Sequence, residues 1–215
     1  WTELDFRQDI FPSGSPLWSP FFYISNTTKY RFYMLKVFYS GSSQVSIANL
    51  KLVDLFSDPQ FSKYRDLLFP ITQFDRGYNG ADNLSIEYAT PAMWAHTYGS
   101  VIVSATSEYN SRRPAWKAFN RETNEREHFW LSSRAPSYGS PQSLMVDFSV
   151  PTIINKYCFQ DIADPASNVR SWAPSEWLIQ GSNDPSVSVS SDNYWSTLHS
   201  VSNAPTLDFG RWTQW

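Results

Sequence analysis

Cysteine is nearly absent: Cys158 is the only one among 215 residues, so no disulfide can form within the chain. A secreted eukaryotic domain of this size would be expected to carry a bridge, so its lack points toward a bacterial, viral or other simple-surface setting. Cys158 sits in the strand-like run Asn155-Lys156-Tyr157-Cys158-Phe159 with no histidine beside it, which reads as a buried structural thiol rather than a nucleophile. Histidine is scarce as well. His96, His128 and His199 fall in no metal-ligand spacing and adjoin neither a cysteine nor paired carboxylates. No glycine-rich phosphate loop and no nucleophile elbow occurs. On these grounds the chain is read as non-enzymatic. Charged residues make up only 17% and the net charge is −3, which argues against a nucleic-acid binder with its basic face and against a disordered chain. No apolar run approaches the ~18 residues that a membrane span needs. No signal peptide is visible. A chain opening on Trp1 is read as a processed product or a fragment of something longer.

Aromatic side chains are what the sequence has in plenty: 10 Trp, 12 Tyr and 15 Phe. Most are expected in a core and on strand surfaces, with a few in loops left for stacking against sugars. Leu144, Val146 and Phe148 alternate with Met145, Asp147 and Ser149, the period of two of a half-buried strand. The runs Phe21-Phe22-Tyr23-Ile24 and Tyr30 to Tyr39 are denser, as in strands covered on both faces. Turn signals follow at Ser40-Gly41-Ser42-Ser43 and Gly181-Ser182-Asn183-Asp184-Pro185. No long 3.6-residue period occurs, and only Asp58 to Leu68 offers a short helix. The expected fold class is all-β, with strand spacing suited to a sandwich.

Seven segments in order carry a family resemblance. They begin with Val101-Ile102-Val103-Ser104-Ala105-Thr106-Ser107-Glu108-Tyr109, Pro114-Ala115-Trp116-Lys117-Ala118-Phe119-Asn120 and Phe129-Trp130-Leu131-Ser132-Ser133. They continue through Leu144-Met145-Val146-Asp147-Phe148, Pro151 to Tyr157, Ala173 to Asp184 and Trp195-Ser196-Thr197-Leu198. This stretch resembles the front two-thirds of a discoidin-like (coagulation factor 5/8 type C) domain, a galactose-binding-like, jelly-roll β-sandwich. The start of the chain resembles the missing back third. Trp1-Thr2-Glu3-Leu4 is similar to Trp195-Ser196-Thr197-Leu198, Phe22 to Leu35 to the penultimate strands, and Val45 to Leu52 to the closing strand. The expected division is therefore 1–56 as the back part of a module, 57–100 as a connector and 101–215 as the front part of a module.

Three arrangements give that order: a window from a tandem array, a circularly permuted module, or a back third lent to a neighbour. In the permuted case residues 195–215 and 1–21 would claim one place in the fold. The expectation is therefore that Phe32 and Leu50 close a sandwich with another subunit or repeat, giving a homo-oligomer or tandem array. The resemblance further implies ligand loops at one end of the sandwich, here offering Tyr109, Arg112, Arg113, Arg170 and Trp172. Arginine forks beside rings suit sugar hydroxyls and carboxylates, while packing of Trp172 on the rim and solvated arginines are the plainer alternative. The mixed run Glu122, Glu125 and Glu127 with Arg121 and Arg126 reads as a solvated loop. The resemblance also implies a structural calcium ion. Asn120 and Asn49 stand where the family pattern has carboxylates, which leaves at most a weak calcium site, so no cofactor is expected. Asn26-Thr27-Thr28 and Asn83-Leu84-Ser85 fit the glycosylation sequon. The function expected is a structural or adhesion subunit of an extracellular, cell-surface or virion appendage such as a tail fibre, binding glycans or neighbouring subunits. The alternative is a carbohydrate-binding accessory region of a larger secreted glycoside hydrolase.

Overall fold

The computed structural model describes residues 22–40, 43–54, 89–122, 128–160 and 172–204. Eleven strands occur among them and no α-helix, only a 3-10 segment at Ala115–Phe119. In chain order they are β1 (Phe22–Tyr23), β2 (Tyr30–Ser40), β3 (Ser46–Ile47), β4 (Asn49–Val53), β5 (Thr97–Tyr98) and β6 (Val101–Ala105). Then follow β7 (Trp130–Leu131), β8 (Gln142–Thr152), β9 (Lys156–Gln160), β10 (Pro174–Ser182) and β11 (Ser196–Val201). A six-stranded sheet runs β11-β10-β2-β8-β6-β5, a three-stranded sheet runs β1-β9-β4, and β3 pairs with β7. Every pairing is antiparallel. Both larger sheets feed one apolar core, an arrangement consistent with a β-sandwich. No helix among the described residues is long and apolar enough to cross a membrane.

The period of two in β8 behaves as its pattern dictates. Leu144, Val146 and Phe148 enter the core, while Met145 and Ser149 lie half-buried on the other face. On that face the Asp147 carboxylate receives the Arg31 guanidinium at 2.8 and 2.7 Å. In β2 the core set is Tyr33, Leu35 and Val37, so Phe32 and Met34 point to the opposite face, where they are nonetheless buried. Phe32 and Leu35 thus serve opposite faces, because positions 32 and 35 have opposite parity in a strand.

The expectation that the back third closes a sandwich in another subunit is corrected by the pairing. β2 lies between β8 and β10 of its own chain, with Phe32 opposite Asp147 and Ser182. Leu50 faces Phe159 across β4 and β9 and joins the core that holds Val146 and Trp177. Burial of such a side chain is worth ~1.5–3 kcal/mol, and Leu35, Val37, Ile47, Leu50 and Leu52 obtain it without a neighbour. The end of the expected connector also belongs to the sandwich. Met93 is fully buried in the core, Ala89 N–H donates to Leu52 O at 2.9 Å, and Thr97–Tyr98 pairs with β6. Residues 57–88, with the expected helix at 58–68, lie outside the described residues, as do residues 1–4.

Polar groups tie the sheets together inside. Trp177 of β10 donates its indole N–H to the Tyr157 hydroxyl of β9 at 2.8 Å. That hydroxyl is also hydrogen-bonded to His199 Nδ1 of β11, 2.7 Å away. Phe22 stacks on Tyr157 at 5.0 Å and meets Trp177 edge-on at 5.4 Å. A second hub is the Tyr33 hydroxyl, which donates to Thr152 O and accepts from Ile154 N–H. Burial holds its pKa up at about 12. Cys158 is buried in β9 as expected of a structural thiol, and burial pushes it up to about 12. Asn26 is buried, its amide donating to Thr28 O and Ile154 O at 3.0 Å each. The first sequon is therefore spent on structure; the second, at 83–85, lies outside the described residues.

Candidate ligand-binding rim

The C-terminal ends of β2 and β6 and the N-terminal ends of β8 and β10 meet at one end of the large sheet: Ser40 is opposite Pro174, Val37 opposite Gln142, Ala105 opposite Leu144. The loops leaving those strands are pinned to one another by backbone groups. Ser132 N–H donates to Val45 O at 3.0 Å, Val45 N–H to Ser132 Oγ at 2.9 Å, and Ser46 N–H to Trp172 O at 2.9 Å. Tyr109 N–H donates to Leu131 O at 2.8 Å, and Ser133 N–H to Ser107 Oγ at 3.0 Å. Such paired loops form a stiff platform.

On it the structure gathers four of the five residues expected from the sequence. Tyr109 projects with 55% of its surface exposed. Asn110 shapes the following turn by accepting Arg112 N–H at its side chain (2.9 Å) and Arg113 N–H at its carbonyl (3.0 Å). Arg112 is exposed. Arg113 is half-buried, its guanidinium 4.0 Å from the centroid of the Phe129 ring. Trp172 packs beside it on a small cluster of Phe129, Leu131 and Ala48, and stays half-buried. Arg113 and Trp172 are thus both wall and surface. Arg170 lies outside the described residues.

The sequence reading missed a second aromatic group on the same end. Tyr138 and Gly139 form a tight turn in which Ser137 and Ser140 exchange backbone hydrogen bonds of 3.2 and 3.1 Å. Tyr138 stacks on Phe38 at 5.2 Å, meets the Tyr39 ring edge-on at 5.5 Å, and donates its hydroxyl to Glu176. No local sequence pattern brings these groups together, because the ring's neighbours come from β2 and β10.

The two asparagines at the expected calcium positions are brought together, both buried. Arg121 N–H can only donate, and it points at Asn49 Oδ1 at 3.0 Å, which fixes the amide orientation. Asn49 Nδ2 then donates to Glu122 O at 3.2 Å and to Gln160 Oε1 at 3.0 Å. Likewise Glu122 N–H donates to Asn120 Oδ1 at 3.0 Å, and the Glu122 carboxylate pairs with His128. An N–H donor thus faces the carbonyl that an ion would need. Arg121 adds a cation nearby, its own backbone in the left-handed region at φ 63° and its guanidinium donating to Thr90 O. These residues do not fit a calcium ion, which requires several oxygen ligands turned inward. Among the described residues no group of three His, Cys, Asp or Glu side chains could hold a metal. Glu125 and Glu127 lie outside the described residues. No protein-family model matches the chain, and no curated protein matches it.

Proposed function

We propose that this chain is a discoidin-like β-sandwich serving as a non-enzymatic binding module of an extracellular or virion appendage, gripping glycans or neighbouring subunits through the loop rim. The observation that carries the reading is the joint placement of Tyr109, Arg112, Arg113 and Trp172 on hydrogen-bonded loops at one end of the large sheet. Ring faces suit the C–H faces of sugars, and arginine forks suit hydroxyl and carboxylate oxygens. Support for the discoidin-like assignment comes from the pairing. The segment resembling the family's back third supplies β2 and β4, which complete the sheets built by the segments resembling its front.

An oligosaccharide array probed with the purified chain tests the reading. Binding is expected, and Tyr109→Ala or Trp172→Ala should weaken it by about tenfold, the loss typical of an aromatic anchor. Tyr109→Ala should leave the melting temperature unchanged, since its ring is exposed. Absence of binding to any glycan, together with a monomer in solution at all concentrations, overturns the reading.

A further inference from the structure

The geometry points to a second, separate subsite on this end: an aromatic shelf of Tyr138, Phe38 and Tyr39 with the Glu176 carboxylate, built for a neutral pyranose unit. The inference rests on the glycan-binding reading above and goes further by naming the class of sugar.

Three observations carry it. First, Tyr138 is the large side chain most plainly on offer at this end, 64% exposed, yet its position is fixed. The Ser137–Ser140 exchange sets its backbone, Phe38 backs one face of the ring at an interplanar angle of 29°, and Glu176 receives its hydroxyl. Free rings on a surface are ordinary, but a ring immobilised from three sides with one face left open has already lost the freedom that binding would otherwise remove.

Second, the strands are locally irregular here in a way that produces the shelf. Between Pro174↔Ser40 and Glu176↔Tyr39, β10 advances two residues against one of β2, leaving Ser175 unmatched. Between Glu176↔Tyr39 and Trp177↔Val37, β2 advances two against one, leaving Phe38 unmatched. Successive residues of a regular strand point to opposite faces, yet Phe38 and Tyr39 both reach Tyr138. Bulges re-aim side chains and are enriched beside functional sites. Two opposed bulges within four residues bring Phe38, Tyr39 and Glu176 around one turn.

Third, the charge selects the occupant. The ionisable group touching Tyr138 is a carboxylate. Lys36, 5.8 Å from the Phe38 ring, is paired with Asp192. A carboxylate accepts hydroxyl hydrogens and repels sialic or uronic acids and anionic headgroups. The shelf therefore fits a neutral hexose laid with its C–H face on Tyr138 and a hydroxyl on Glu176.

The test uses an array of galactosyl-, glucosyl-, mannosyl- and N-acetylhexosaminyl-terminated oligosaccharides beside sialyl- and uronosyl-terminated ones. The expected result is binding to neutral chains, weakened at least ~tenfold by Tyr138→Ala and clearly reduced by Glu176→Gln, with unchanged melting temperature. Tyr138→Phe, which keeps the face, should retain most of the binding. If neutral glycans bind and Tyr109→Ala weakens them while Tyr138→Ala does not, the shelf is overturned and the rim reading survives. Binding confined to acidic glycans also overturns the shelf. If no glycan binds at all, the shelf is overturned, while the rim reading falls only if the chain also stays monomeric at all concentrations.

Discussion

At the scale of single residues, the buried amides at positions 49 and 120 decide how the loop after the 3-10 segment is held. Asn49→Ala would strip partners from Arg121 N–H, Glu122 O and Gln160 Oε1 in a site only 1% exposed. We expect a loss of about 2–4 kcal/mol, readable by denaturant unfolding, because orphaned buried polar groups bear their desolvation cost uncompensated. A chelator should leave the melting temperature of the unaltered protein where it is. A fall would reveal an ion stabilising the native state by mass action and would refute the hydrogen-bonded account. The residue types at 49 and 120 were legible in the sequence, and so was their misfit to calcium. The hydrogen bonds each makes to Arg121, Glu122 and Gln160 were not, because they depend on the left-handed turn at Arg121, which nothing in a non-glycine residue announces.

Among elements, the link between the two sheets makes the most definite forecast. The Tyr157 hydroxyl accepts from Trp177 and is hydrogen-bonded to His199 Nδ1, and burial lowers the imidazole's pKa from 6.5, favouring its neutral form. The unfolded chain binds that proton more readily. Stability from neutral His199 is therefore present above about pH 6.5 and is lost as pH falls through the lowered folded value. Thermal unfolding should show this decline, and His199→Gln, whose side-chain oxygen can still accept from Tyr157, should flatten it relative to the unaltered protein. β10 yields another expectation. A Cβ at Gly181 would lie 2.7 Å from two Tyr30 ring atoms and 3.1 Å from Leu198 Cδ1, so Gly181→Ala should cost ~1–3 kcal/mol by overpacking. Strand β8 could be read from its alternation alone, since one face is core and the other is not. β2 could not be phased, because Phe32 and Met34 are buried on the face away from the core and erase the contrast. Two-residue strands such as β5 and β7 carry no period at all.

For the whole molecule, the arrangement of segments is the feature that matters most. Residues 22–53 contribute β1 to β4 and residues 89–204 the rest, and neither group holds a complete sheet, since β2 is flanked on both sides by strands of the second group. Expressed separately, fragments 1–70 and 71–215 should each fail to show a cooperative unfolding transition, and mixing them should restore it. A cooperative transition in the second fragment alone would contradict the central position of β2. The order of the segments was visible in the sequence. Which partner β2 would take was not, because the same strand completes a sheet equally well in its own chain or in another. One consequence belongs to time rather than space. As the chain is synthesised, β2 is finished at Ser40, but β8 ends at Thr152 and β10 at Ser182, so 112 and 142 residues must follow before its two neighbours are complete. At ~5–20 residues per second, this aromatic-rich strand waits on the order of 5–30 seconds with both edges unpaired. That interval, repeated in every copy made, is when a nascent chain is most exposed to pairing with the wrong β2, and it makes early shielding by chaperones a condition of good yield.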